Sequence, residues 1–261
     1  MDAPDIRLVP LPQLTRGPRW RVEAARSYAA DQLLWITRGQ GKILLAGRMA
    51  GFGAQNAIFI PADTMHAFEL GPPIYGLAVF LGPGHGVSLP ELPVRMRVRD
   101  SRRQSELSAA LDALQHEIDG DAPGRSRALA AQITLLGVWL ERRRPEELAG
   151  GARESRAQLL ARRFAALVED RFTSEWSVAD YAAALNVTPT HLTRVCRETA
   201  GRTASELLTA RKMAEARRLL ADTRLPVKEI AAGLGFGSAA YFTRCFQART
   251  GAAPTEFRRG D

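Results

Sequence analysis

Two short stretches of this chain set small hydroxyl side chains and arginine at helical spacing. The first holds Thr190, His191, Thr193, Arg194 and Arg197; the second holds Ala239, Ala240, Thr243, Arg244 and Gln247. On one face of a helix, threonine hydroxyls and arginine forks can hydrogen-bond base edges in the major groove of B-DNA, which admits a helix. The complementary positions are apolar, with Leu192, Val195 and Cys196 in one stretch, and Tyr241 or Phe242 with Cys245 and Phe246 in the other. One such helix alone reads equally well as ordinary packing. Two of them in a basic region do not.

The elements that must position these residues form an internal repeat. Val178–Leu185 reads VADYAAAL, and VKEIAAGL follows at Val227–Leu234, 49 residues later. One extra residue at the turn shifts the offset to 50, so that Leu192-Thr193-Arg194 matches Phe242-Thr243-Arg244 and Gly201 matches Gly251. Each copy reads as a short helix, a tight turn and a second helix. Ser177 and Asp180 form a capping pair, Ala182 and Ala231 are small where helices cross, and Asn186 and Gly235 can take the positive φ of a turn. The second helices are expected over Pro189–Thr199 and Ser238–Thr250. Between the copies, Thr203-Ala204-Ser205-Glu206 caps a helix over Ala204–Ala221. About 18 residues of helix span roughly 27 Å, a rigid spacer suited to two readers about one DNA turn apart.

The charge is distributed accordingly. Net charge is +8, and from Arg153 onward 18 Lys+Arg stand against 12 Asp+Glu, whereas residues 1–152 hold 18 against 16. A basic excess in the repeat-bearing half suits a phosphate surface. The preference for arginine over lysine fits codon usage and carries no functional weight. Only Cys196 and Cys245 are present, so no disulfide framework is implied, and each reads as a small hydrophobe on an apolar helix face. The start of the chain lacks the basic and apolar segments of a signal peptide, and no apolar stretch reaches the roughly 20 residues that span a bilayer. No membrane partner and a cytoplasmic location are expected.

The first half reads differently. Gln32–Thr37, Lys42–Ala46, Ala57–Ile60, His66–Leu70 and Ile74–Leu81 are short strands broken by glycine turns, the pattern of a small sandwich or barrel. Gly82–Pro93 reads as loop. Leucine and isoleucine at helical spacing then mark Gln104–Ile118 and Arg125–Arg143 as an antiparallel helical hairpin, which packs within its domain or serves as a dimer contact. Pro145–Gly151 is the linker candidate.

The second copy, Ile230-Ala231 … Gly235-Phe236 … Ser238 … Tyr241-Phe242-Thr243-Arg244-Cys245-Phe246 … Gly251 … Pro254 … Phe257-Arg258, resembles the C-terminal signature of AraC/XylS regulators. The first copy, Ala182 … Leu185 … Val187 … His191-Leu192-Thr193-Arg194, is similar to that family's first helix-turn-helix. The resemblance implies base-facing positions at Thr190, Thr193, Arg194, Ala239, Ala240, Thr243 and Arg244, with Arg197 among the DNA contacts. Two departures stand out: Cys196 where the family often has Phe, and Gln247 where a basic residue is common. Ala239 and Ala240 cannot hydrogen-bond a base, so the second unit would read thymine methyls or DNA shape more than base donors and acceptors.

The first half also looks like the cupin barrel of such regulators, through Leu33–Gly41 and Gly53–His66. Enzymatic cupins hold a metal with several histidines and a glutamate. Here only His66 stands in that position, the others being His85, His116 and His191. No metal, cofactor or catalytic residue is therefore expected.

The expected architecture is α+β and multidomain: a cupin-like β-barrel (1–98) serving as effector sensor, a helical hairpin (99–144) for dimerisation, a linker (145–155), and an all-α double helix-turn-helix domain (156–261). The expected function is sequence-specific transcriptional regulation, by a homodimer on double-stranded DNA in adjacent major grooves. RNA polymerase and a small-molecule effector are the further partners, the effector meeting Trp35, Arg38 and His66. Two alternatives stay open: a barrel that only dimerises or docks a partner, and a cupin enzyme tethered to DNA.

Overall fold

The computed structural model describes residues 5–71, 73–150 and 154–260. The first half contains β1 (Ile6–Pro10), two short helices α1 (Leu11–Leu14) and α2 (Trp20–Glu23), then β2 (Asp31–Arg38), β3 (Gly41–Leu45), β4 (Arg48–Phe52), β5 (Asn56–Ile60), β6 (His66–Leu70), β7 (Tyr75–Leu81) and β8 (Val94–Arg97). They form two antiparallel sheets, one ordered β1-β7-β2-β5-β8 and the other β4-β3-β6. Strands β1, β4 and β8 were not expected. Arg48–Phe52 is short and glycine-bearing, yet its backbone completes the ladder of β3, with Ile43 opposite Ala50.

Along β2, Leu34 and Ile36 point between the sheets and meet Ile43, Phe52 and Phe68, while Leu33 and Trp35 point out of the other side. That outer side is covered by α3 (Ser101–Asp119) and α4 (Arg125–Gly150), through Leu107, Leu111, Leu114, Leu129, Ile133 and Leu136. Coverage on both faces explains why β5, Asn56–Ile60, is uniformly buried and does not alternate. Asp100 caps α3 by accepting the Arg103 N–H at 3.0 Å.

Helix α4 continues to Gly150, through most of the expected linker. Glu146, Glu147, Leu148 and Ala149 are strong helix formers, and the break expected from Pro145 does not occur. Positions 151–153 of that linker lie outside the described residues.

The second half is helical: α5 (Arg156–Arg171), α6 (Val178–Ala184), α7 (Pro189–Ala200), α8 (Ala204–Asp222), α9 (Val227–Gly233), α10 (Ala239–Thr250) and α11 (Pro254–Gly260). Its core runs on into the first half. Ala25, Leu44, Met65 and Ala67 belong to the same buried cluster as Phe164, Val168, Leu192 and Phe242. The three-stranded sheet is thus apolar on both faces, one toward the other sheet and one toward α5. At Gly47, in the turn between β3 and β4 with φ +80°, an added Cβ would lie 2.5 Å from the Ala161 carbonyl oxygen. Only glycine lets that turn approach α5 so closely. Polar bonds edge the join: Ser27 Oγ donates to Glu169 at 2.7 Å, and Arg202 reaches Glu69 at 3.2 Å.

Candidate nucleic-acid interface

Helix α7 is started by Thr188, whose hydroxyl accepts the His191 N–H at 3.2 Å, with Pro189 in the first turn where its missing N–H costs nothing. Gly201 ends it at φ +70°. Helix α10 repeats the scheme, with Ser238 accepting the Tyr241 N–H at 3.2 Å and Gly251 at φ +78°. The preceding helices enter their turns through Asn186 and Gly235, both at positive φ. Ser177 and Asp180 form the capping box of α6; hydrogen bonds from Ser177 hold the Asp180 carboxyl below its ordinary pKa. Each local element of the repeat is therefore built as its sequence suggests.

Leu192, Val195 and Cys196 are buried beneath α7, which leaves Thr190, Arg194 and Arg197 exposed and Thr193 half-buried. Pro189, Thr190, Thr193, Arg194 and Arg197 line a concavity of about 400 Å³. Arg194 is oriented along the helix by His191, whose Nδ1 accepts from its Nη2 at 3.1 Å, and by Glu198 at 3.8 Å. Both tethers are solvent-exposed and weak enough to exchange for a base or phosphate.

On α10, Phe242 and Phe246 are fully buried, and Ala240, Arg244 and Gln247 are exposed with Thr243 half-buried. One position differs from expectation, and one left open is decided. Ala239 packs partly against the core, so of the two alanines only Ala240 faces out. Tyr241 is 52% exposed, beside Ala240, with its ring 6.0 Å from Phe236. Phe242 and Phe246, four residues apart, form the buried stripe, which places Tyr241 roughly 100° away from it.

Comparison with known proteins matches residues 181–260 to a helix-turn-helix domain family. The arabinose operon regulatory protein of Salmonella typhimurium is 31% identical over 87 residues, which are 33% of this chain and 31% of that protein. The chain thus spans about a third of that relative's length. The transcriptional activator AarP of Providencia stuartii is 33% identical over 94 residues, 36% of this chain and 70% of AarP. This chain belongs to the AraC/XylS family. An uncharacterised regulator of Escherichia coli, YpdC, aligns more widely, at 24% identity over 85% of the chain and 79% of YpdC.

In this AraC/XylS chain the three residues expected to meet an effector do not share a site. Trp35 is buried on the hairpin side of the five-stranded sheet. His66 is 2% exposed, stacked on Tyr28 at 5.6 Å, and its Nδ1 faces the Thr64 carbonyl at 2.9 Å, so it donates there. Burial pushes its pKa down to about 4, and Arg26 and Arg211 add to that. Arg38 alone lines a concavity, of about 480 Å³, with Gly39, Gln40, Ala54, Pro73 and Tyr75. The misplacement has a simple cause. With both faces of β2 covered, its apolar residues do not alternate with polar ones, and nothing local says which way Trp35 points.

Among the described residues no group of three or more His, Cys, Asp or Glu side chains is placed to hold a metal ion, and no helix is long and apolar enough to cross a membrane. Cys196 is fully buried, and desolvation pushes its thiol up to about 12.

Proposed function

We propose that this protein is a sequence-specific DNA-binding transcriptional regulator whose α7 and α10 enter adjacent major grooves. The observation that carries the reading is the paired arrangement: two helices capped alike, joined through α8, each exposing an arginine one residue after a threonine. Thr190, Thr193, Arg194 and Arg197 contact one half-site; Ala240, Tyr241, Thr243 and Arg244 contact the other. The test is enrichment of duplexes from a random-sequence library by the full chain, followed by a salt titration. A regulator of this kind enriches two half-sites about one helical turn apart. Enrichment of no sequence would refute it.

The β half then acts as the controlling module. The Arg38 concavity suits a small acid, and ligand-induced thermal shifts across a panel of carboxylates test it. The scatter of Trp35 and His66 favours a second reading, in which this half only dimerises or docks a partner such as RNA polymerase. Leu135, 59% exposed on α4 with Ala131 beside it on the same face, supports a homodimer through the hairpin. Ultracentrifugation at micromolar concentration should show two chains. An enzyme tethered to DNA is the least supported reading, and a tightly held equivalent of iron, manganese or zinc would revive it.

A further inference from the structure

Lys212 lies midway along α8 and is only 7% exposed, an unusual place for an ammonium group. Its Nζ donates to the Ser174 carbonyl at 2.9 Å and to the Gly235 carbonyl at 3.4 Å, and it sits 5.3 Å from the Phe236 ring centroid. Those two carbonyls belong to different units. Ser174 lies between α5 and α6, at the entry to the first helix-turn-helix, and Gly235 is in the turn of the second. The two segments touch: a Cβ added at Gly235 would lie 2.1 Å from the Ser174 oxygen and 2.9 Å from the Glu175 nitrogen. Gly235 also has φ +64°. The second turn therefore rests directly on the first unit's backbone, and one ammonium group spans the contact.

We infer that Lys212 is a positioning residue that locks the two helix-turn-helix units at one separation, and so sets the half-site spacing the protein accepts. The inference rests on the DNA-binding reading above. A compact ammonium with three donors can serve two carbonyls at once, and the ring face of Phe236 completes its surroundings. Burial lowers its pKa, yet the charge stays worthwhile because main-chain oxygens replace the lost water. Without the charge, the two carbonyls lose their shared donor, leaving α8, the β half and van der Waals contact to hold the units. Each reader keeps its own face, since Lys212 touches neither α7 nor α10 base-facing positions.

The experiment enriches duplexes from a random-sequence library with the full chain and with Lys212→Met, Lys212→Arg and Gly235→Ala. The unmodified chain should enrich two half-sites at one spacing. Lys212→Met should enrich the same half-sites over several spacings. Linking two binding modules is worth roughly 10²–10⁴-fold, so the loosened pair is expected to lose about tenfold on the single-spacing duplex. On duplexes with one half-site scrambled, the two proteins should agree within about twofold. Lys212→Arg should restore the single spacing, and Gly235→Ala should spread it by wedging the units apart. If Lys212→Met unfolds at the assay temperature, Gly235→Ala carries the test, and unfolding of both counts against a spacing role. If the unmodified chain enriches a spaced pair and Lys212→Met enriches the identical pair with equal affinity, the staple is overturned and DNA binding stands. Equal loss on scrambled duplexes also overturns it, as general damage to the domain. If the unmodified chain enriches nothing, the DNA-binding reading falls and takes the staple with it.

Discussion

The Nε of Arg211 lies 2.9 Å from both carboxylate oxygens of Glu169, and each side chain is only 7% exposed. Arg211 also stacks on the Phe172 ring at 3.8 Å and reaches Glu215 at 3.3 Å. Ser27, from the β half, donates to the same Glu169 carboxylate. One carboxylate thereby ties α5, α8 and the neighbouring β module.

Removing one partner of such a pair leaves a buried charge unpaired, which costs about 3–5 kcal/mol. Glu169→Ala should lower stability in urea unfolding by less than that full amount, because Arg211 keeps Glu215 at 3.3 Å. The double variant Glu169→Leu/Arg211→Met should be markedly more stable than Glu169→Ala. Ser27→Ala, which removes one hydrogen bond to a carboxylate, should cost about 1.5–3 kcal/mol. A Glu169→Ala protein as stable as the parent would show that the pair contributes nothing.

On the proposed reading face, Arg194→Ala and Arg244→Ala are each expected to lose about 1–3 kcal/mol on the enriched duplex if the contact is bidentate to guanine, with much less lost on random DNA. A phosphate contact instead weakens all duplexes alike and lowers the salt slope by about one unit. Arg102, 89% exposed on α3, is a suitable control. Arg217 is not, because it donates to the Arg249 carbonyl at the end of α10. Fluorescence anisotropy over a salt series distinguishes these outcomes, and two alanine variants that bind like the parent would remove α7 and α10 from the reading surface.

His66 makes stability depend on pH. Its folded pKa, about 4, lies below the unfolded value near 6.5, so the unfolded chain binds the extra proton first. The stabilisation is fully present above pH 6.5 and drains away as pH falls toward 4, reaching roughly 3 kcal/mol in all. Urea unfolding at pH 7.5, 6 and 5 should show the decline, and His66→Gln should flatten it. Parallel slopes for parent and variant would mean that His66 titrates normally.

The two thiols should react unequally. Cys245 is half-buried, whereas Cys196 is fully buried with its thiol pushed up to about 12. A chromogenic disulfide reagent at pH 8 should consume one thiol per folded chain quickly and the second only in denaturant. Rapid modification of both would contradict the burial of Cys196.

The repeat was legible because its determinants are local. Thr188, Ser238, Gly201 and Gly251 each specify a helix end within three or four residues, and the matched offset displays the second copy. The rotation of α10 was less so: Tyr241 and Phe242 are both aromatic, and only packing against Phe246 decides which goes inside. The join between the halves left no local mark at all. Leu44 and Ala67 read as ordinary strand residues, and their partners Phe164 and Val168 lie about a hundred positions away. Likewise Pro145 looked like punctuation, while the run of helix formers after it carried α4 onward.

The shared wall between the halves bears on how such regulators can diversify. A β half transplanted from a relative would have to present a residue without a side chain where Gly47 meets α5, a hydroxyl where Ser27 meets Glu169, and a flat apolar patch like Leu44 and Ala67. The β half and the helical half are therefore expected to change as a matched pair, each drifting only as fast as the other can follow.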